Sequence, residues 1–258
     1  LRHLEDEVKN QFSTNSFLRF MRAPSPQLWL VRVRKEFEPL VQSALTPSLF
    51  EKTPLFTTLS ARLFFASGNP SAGPDILIKR IRAQKAADYV RRLVWCQGKR
   101  EFLSSCALIE MGLRCPAPVG YAINIVPSSR FDSLFISAFL PDAIPLSRQI
   151  IDMNKPDRLA CLKMAARDIG FMFSRRVFHK DLQLNNILLN PADPAQLHWI
   201  DNDLKKIGRR RWAKQPKAVL EQITRNVQFC SIDEKDFFIK EIVSSWAIQK
   251  EEDDGQPS

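Results

Sequence analysis

The chain of 258 residues has no long apolar run: residues 134–140, the best stretch, span only seven positions. A membrane-crossing helix needs roughly 20 such residues, so none is expected. Residues 1–10 are charged and lack the apolar core of a signal peptide, and the reading expects no targeting segment there. There is no CxxC pair. The five cysteines, at 96, 106, 115, 161 and 230, are odd in number and scattered, which argues against a zinc site or a disulfide framework. Reduced thiols in a cytoplasmic protein are the natural expectation. No internal repeat stands out. Composition is that of a globular chain, with 45% hydrophobic and 26% charged residues, and the length suffices for one large domain or two units with their own cores. Charge is the one global bias. A net charge of +10 calls for an anionic partner: a nucleotide, a nucleic acid or a phosphate-bearing membrane. No nucleic-acid recognition motif or basic-aromatic interleaving accompanies it, so nucleic acid is not expected.

Along the chain, residues 4–20 and 28–45 are amphipathic and read as partly helical, broken by Pro24 and Pro26. They are assigned to a helical extension, residues 1–51, with no evident role. The segment LFTTLSARLFFAS (55–67) reads as extended, DILIKRI (75–81) as a second strand, and KREFLSSCALIEMG (99–112) as a helix. That helix has Phe102, Cys106 and Ile109 on one stripe and Gly112 at its left-handed stop. Strands follow at 119–126 and 133–140, then a linker near 139–144. Beyond it, Asn154 caps a helix with the stripe Leu159, Leu162, Ala166, Ile169 and Phe173. Further helices are expected at 217–229 and 234–248. The expected architecture is α+β: residues 52–140 form an antiparallel sheet plus a helix, residues 141–250 are mainly helical, and 251–258 form an acidic disordered tail.

The chemistry concentrates in VFHKDLQLNNILLN (177–190), which gives His179, Asp181 and, five positions after the acid, Asn186 before a short strand. A hairpin later, WIDND ends an apolar strand on Asp201. Far upstream, Lys79 is the sole charge within Ile76-Leu77-Ile78-Lys79. Singly, each has a bland reading: a common loop, an edge-strand charge, a turn acid. Together, in this order and on these element types, they form H-x-D-x-x-x-x-N, a strand Asp about twenty residues on, and a strand Lys.

This set resembles the signature of the two-lobed protein-kinase-like fold. The resemblance implies ATP and magnesium. Asp181 would accept the proton of the attacking hydroxyl, with His179 as a packing and hydrogen-bonding support. Asn186 and Asp201 would supply oxygen ligands to the metal. Lys79 would neutralise nucleotide phosphates, held by Glu101, and the linker residues Phe139 and Leu140 would meet the nucleotide. A narrower likeness lies in KREFLSSCALIEMGLRCPAPVGYA (99–122), HKDLQLNNILL and LHWIDNDLKKI. These resemble bacterial lipopolysaccharide core kinases of the Kdo/WaaP type, over residues 55–229. That implies phosphorylation of a sugar hydroxyl, on Kdo or heptose, of a lipopolysaccharide core or lipid-linked precursor. It further implies a cytoplasmic protein, peripheral on the inner membrane.

Three features depart from protein kinases. No A-P-E sequence follows Asp201, so a peptide-docking platform is missing and a small acceptor is favoured. Residues 55–67 hold no glycine, leaving backbone amides of Thr57, Thr58 or Ser60 as candidates to cover the phosphates. The triplet Asp201-Asn202-Asp203 carries an amide where an aromatic is more usual. The missing glycines and Asn202 motivate one alternative, a non-catalytic pseudokinase scaffold; a second alternative, an atypical protein kinase, is lowered by the missing activation segment. The basic cluster Lys205, Lys206, Arg209, Arg210, Arg211, Lys214 and Lys217 has two open readings: a site for acceptor anions or an anionic membrane, or a solvated basic face.

Overall fold

QLWLVRVR alternates its apolar residues, and it folds as a strand. β2, Gln27–Arg34, buries Gln27, Trp29, Val31 and Val33 and turns Arg32 to solvent. It pairs antiparallel with β1, Thr14–Met21, from Thr14 opposite Arg34 to Met21 opposite Gln27. The helical expectation for 4–20 and 28–45 is therefore overturned across both strands. Branched and aromatic residues at period two outweigh spacings of three and four, which short apolar runs mimic. Helix begins only after a 3-10 turn at Lys35–Phe37, as α1, Glu38–Ala44, and α2, Pro47–Glu51. Both carry Pro in the first turn, where its missing N–H has no helical partner to lose. Residues 1–51 are thus corrected from a helical extension: their described part is a hairpin and two helices built into a sheet. The computed structural model describes residues 14–21, 27–68, 74–83, 86–126, 131–190, 193–206 and 231–254.

The chain divides into two compact units, Leu1–Met111 with Pro116–Leu140, and Gly112–Cys115 with Pro141–Ser258. In the first, β3 (Phe56–Thr57), β4 (Ala61–Ala66), β5 (Ile76–Arg82), β6 (Pro118–Asn124) and β7 (Phe131–Ala138) join the hairpin. The result is a seven-stranded antiparallel sheet of order β1-β2-β6-β7-β5-β4-β3. Between β5 and β6 lie α3, Ala86–Trp95, and α4, Gln97–Glu110. One sheet face packs Trp29, Val31, Ile76, Ile78 and Ile136 against Leu40, Val41 and Leu49 of α1 and α2. Trp29 is fully buried, and truncating such a side chain to alanine costs about 3–5 kcal/mol. The other face packs Tyr121 and Ile123 against Phe102, Leu103 and Cys106 of α4. Ile109, expected on that stripe, is 37% exposed at the helix end. Gly98 lets α4 settle on β7: a Cβ there would lie 2.2 Å from the Leu134 carbonyl oxygen.

The second unit contains β8 (Ile144–Pro145), α5 (Leu146–Asp152), α6 (Lys155–Ser174), β9 (Val177–His179), β10 (Ile187–Asn190), β11 (Asp193–Trp199), β12 (Leu204–Lys206) and α7 (Ile232–Asp254). Asn154 caps α6 by accepting a 3.0 Å bond from the Asp157 N–H. Leu162, Ala166, Ile169 and Phe173 are buried along it, with Leu159 half-buried. α7 crosses α6 at Gly170, where a Cβ would come 2.7 Å from Ser245 Cβ. The disordered tail expected from 251 is corrected in part: α7 continues through Asp254, carried by the good helix formers Glu251 and Glu252. Residues 255–258 and the helix expected at 217–229 lie outside the described residues. No helix among the described residues is long and apolar enough to cross a membrane.

Candidate active site

In the first unit, strand alternation sets the direction of Lys79. Ile76 and Ile78 face α1 and α2, so Lys79, on the opposite face of β5, meets α4. There its Nζ lies 3.0 Å from Glu101 Oε1 and 3.1 Å from Oε2. Glu101 is buried and Lys79 half-buried, with side-chain exposures of 3% and 13%. Gln97 donates to the same carboxylate at 3.2 Å. Glu101 holds this place because it falls one helical turn from the α4 N-terminus, where Cys96 Sγ accepts from the Lys99 N–H. Phe139 stacks edge-on against Phe65 at 5.1 Å, and its N–H donates to the Asp75 carbonyl; Leu140 beside it is half-buried.

The glycine-free segment makes a tight turn between β3 and β4. Thr58 Oγ1 accepts from the N–H groups of Ser60 and Ala61, and the Thr58 N–H donates to the Ala61 carbonyl at 2.8 Å. The amides of Thr58 and Ser60 are therefore spent inside the turn, which corrects their expected use on phosphates. A threonine hydroxyl here does the work of closing the turn without a glycine.

In the second unit, β9 runs antiparallel to β12 with His179 opposite Leu204, which brings the segment after β9 beside the segment before β12. Asn186 is the clasp. Its Nδ2 donates to the Asp181 carbonyl at 2.8 Å and to Asp181 Oδ2 at 3.0 Å, while its own carbonyl accepts from the Ile200 N–H at 2.9 Å. Gln183 adds a second bond to Asp181 Oδ2 at 2.9 Å. Asp181 itself is exposed and Asn186 is buried. With its donor end engaged on Asp181, the Asn186 amide keeps its oxygen as an acceptor. Asp201 sits at φ 54°, a left-handed conformation that aspartate tolerates better than most residues.

His179 is fully buried against the Trp199 ring, 5.7 Å between centroids. Neither ring nitrogen makes a hydrogen bond of ordinary geometry, and the Asn202 side chain and the Ile200 backbone are among its polar neighbours. Burial holds its pKa below the usual histidine value. Enclosed on all sides, the ring suits a packing support. Asn202 is buried as well, and its Nδ2 donates to the Trp199 carbonyl at 3.1 Å. Asp203 pairs with Lys180 at 2.7 Å. Lys205 and Lys206 are exposed on β12; Arg209, Arg210, Arg211, Lys214 and Lys217 lie outside the described residues.

Asp168 and Trp199 were not singled out by sequence. Trp199 Nε1 donates to Asp168 Oδ2 at 2.8 Å, and burial raises the Asp168 pKa to about 6. The only available signal was an acid beside the apolar stripe of a helix. Oxygen donors alone, an amide and a carboxylate, fit a hard cation. Among the described residues no group of three or more His, Cys, Asp or Glu could hold an ion without help. An ion held by Asn186 and Asp201 would complete its shell from phosphates and water, which is how magnesium is usually bound.

No protein-family model matches the chain, and no curated protein is significantly similar to it. Among solved structures it is similar to "WaaP in complex with acyl carrier protein", with a TM-score of 0.50 and 18% identity over 84% of this chain and 92% of that chain. The likeness, joined to the mixed helix and antiparallel sheet, makes this an α+β fold of the kinase-like kind.

Proposed function

We propose that the chain is an ATP-dependent, magnesium-requiring phosphotransferase. Its acceptor is a sugar hydroxyl, on Kdo or heptose, of the lipopolysaccharide inner core or a lipid-linked precursor of it. The observation that carries this reading is the clasp of Asp181 by Asn186, with Asp201 on the segment hydrogen-bonded behind it. The clasp aims one acid outward while keeping an amide oxygen and a second acid for a cation. Phosphoryl transfer asks for this division of labour. Asp181 accepts the proton of the acceptor hydroxyl as that oxygen bonds to the γ-phosphorus, and the bond from γ-phosphorus to the bridging oxygen breaks to leave ADP. Lys79 binds nucleotide phosphates, and Glu101 keeps its stem on the sheet. Phe139 and Leu140 border the base. Asn186 and Asp201 would hold magnesium, which when bound neutralises phosphate oxygens.

The acceptor assignment rests on the sequence likeness to Kdo/WaaP-type kinases, the fold likeness to WaaP, and the absence of an A-P-E sequence after Asp201. The positive charge after Asp201, from Lys205 and Lys206 through Arg209 to Arg211, suits acceptor phosphates or an anionic membrane surface. A peripheral place on the cytoplasmic face of the inner membrane follows for such an acceptor. The neighbour's partner, acyl carrier protein, is a second candidate ligand for this chain. The buried, hydrogen-bonded Asn202 weakens the pseudokinase reading, because the amide keeps the region beneath Asp201 packed.

The test is magnesium-dependent ATP turnover with and without purified deep-core lipopolysaccharide, beside Asp181→Ala. Acceptor-stimulated turnover that vanishes in the variant is expected. Equal turnover in both proteins sinks the catalytic assignment, and ATP binding without any turnover returns the chain to the scaffold reading.

A further inference from the structure

The metal-binding loop lacks the aromatic residue usual after its acid, yet it is not loosely packed. Trp199, two positions before Asp201, is fully buried and tied at four points. Its N–H donates to the Arg114 carbonyl at 2.8 Å, its carbonyl accepts from Asn202, its ring lies on His179, and its indole N–H reaches Asp168 on α6. The Asn202 bond spans Asp201: residues 199 and 202 are tied to each other, and Asp201 is the crest between them, at φ 54°. We propose that Asp168 is a positioning residue for the metal site, holding the Trp199 indole so that the 199–202 turn presents Asp201 to the cation. The aromatic support has moved from after the metal acid to before it, and the Asp168 carboxylate anchors the moved ring.

Physical chemistry favours this over a packing role alone. A carboxylate on a buried helix face is costly to desolvate, and an apolar side chain at 168 would fill the space without that cost. What only an acceptor supplies is direction, because it fixes the rotation of the indole about its own axis. A phenylalanine at 202 could not make the bond to the Trp199 carbonyl, so the amide and the anchored tryptophan work as one device.

The inference rests on the phosphotransferase reading, and its test is a binding experiment. Magnesium is titrated at fixed ATP by calorimetry into the wild-type chain, Asp168→Asn, Asp168→Leu, Trp199→Phe and the Asp168→Leu/Trp199→Phe double variant, with thermal melting alongside. Asp168→Leu and Trp199→Phe should each raise the magnesium needed for half-saturation by about tenfold, the scale seen when a partner of a metal ligand is removed. Asp168→Asn, which keeps an acceptor, should stay near wild type, and the double variant should be no worse than the worse single one. Lowered melting temperatures with an unchanged magnesium requirement would overturn the proposal, as would singles whose effects simply multiply. If Asp168→Leu does not fold, Trp199→Phe, which loses only the anchored N–H and some ring area, carries the decision. A wild-type chain that binds no magnesium nucleotide sinks the phosphotransferase reading and this inference together. Wild-type binding with unshifted variants sinks this inference alone.

Discussion

The two units hold their functional charges by opposite means. In the first, the half-buried Lys79 is balanced by a buried opposite charge, Glu101, brought to it by α4. In the second, Asp181 is exposed and held by neutral amides, Asn186 and Gln183, while the half-buried acid Asp168 is matched by a neutral indole. The difference teaches where stability and function part company. A buried ion pair is a structural commitment, since removing one partner strands the other in a low dielectric. An exposed acid oriented by amides can be deleted with little structural loss, although the proposed transfer depends on it.

The comparison breaks first, if it breaks, at Glu101. Glu101→Ala removes the carboxylate from the half-buried Lys79 ammonium and should destabilise the chain by about 3 kcal/mol in denaturant unfolding. The double change Lys79→Met/Glu101→Leu should recover most of that loss. Equal instability of single and double variants would mean that packing, not charge, governs the site.

Asp168 gives the next effect, through pH. Its carboxyl titrates near 6 in the fold against an ordinary 3.8. The folded chain therefore binds this proton more readily than the unfolded one. The penalty of the buried charge is fully present above pH 6 and fades as pH falls through 6 toward 4, a difference of about 2–3 kcal/mol. Unfolding free energies of wild type minus Asp168→Asn across that window should show this slope. A flat difference would mean that the acid is better solvated than its burial implies.

Smaller still is Lys180→Met. The Lys180–Asp203 pair is as short as the Lys79–Glu101 pair, but its lysine is 38% exposed, so its loss should cost no more than about 1 kcal/mol. Melting curves of Lys180→Met beside Glu101→Ala would show that burial, not distance, ranks the two pairs. Smallest in stability is Asp181→Ala, within about 0.5 kcal/mol for an exposed side chain, even though transfer should be abolished. A large drop in melting temperature there would erase the contrast between the units.

Legibility in the sequence followed how local each feature is. Lys79 stands alone in an apolar run, and His179, Asp181 and Asn186 lie within one short loop, so spacing alone could flag them. Asn154 and Gly112 announced the ends of their helices through cap chemistry, with Gly112 at φ 82°. Residues 14–34 misled because an edge hairpin becomes a strand pair only when β6 receives it, with Trp29 opposite Asn124. Asp168 and Trp199 were invisible for a related reason. Their bond joins a helix to a strand across an intervening loop and hairpin, and neither residue carries a pattern of its own. The Thr58 turn escaped because a glycine was sought where a hydroxyl served.

The placement of β2 beside β6 has a consequence for how the molecule is made. During synthesis the β1–β2 hairpin emerges before β6, the strand that covers its inner edge and is complete only with residue 124, and β7 follows that. Until then β2 presents unpaired backbone and a row of large apolar side chains to the cell. Translation must pass the end of the first unit before its sheet can close. Over that interval the nascent chain depends on α1 and α2, which follow the hairpin at once, to shield Trp29 and its neighbours.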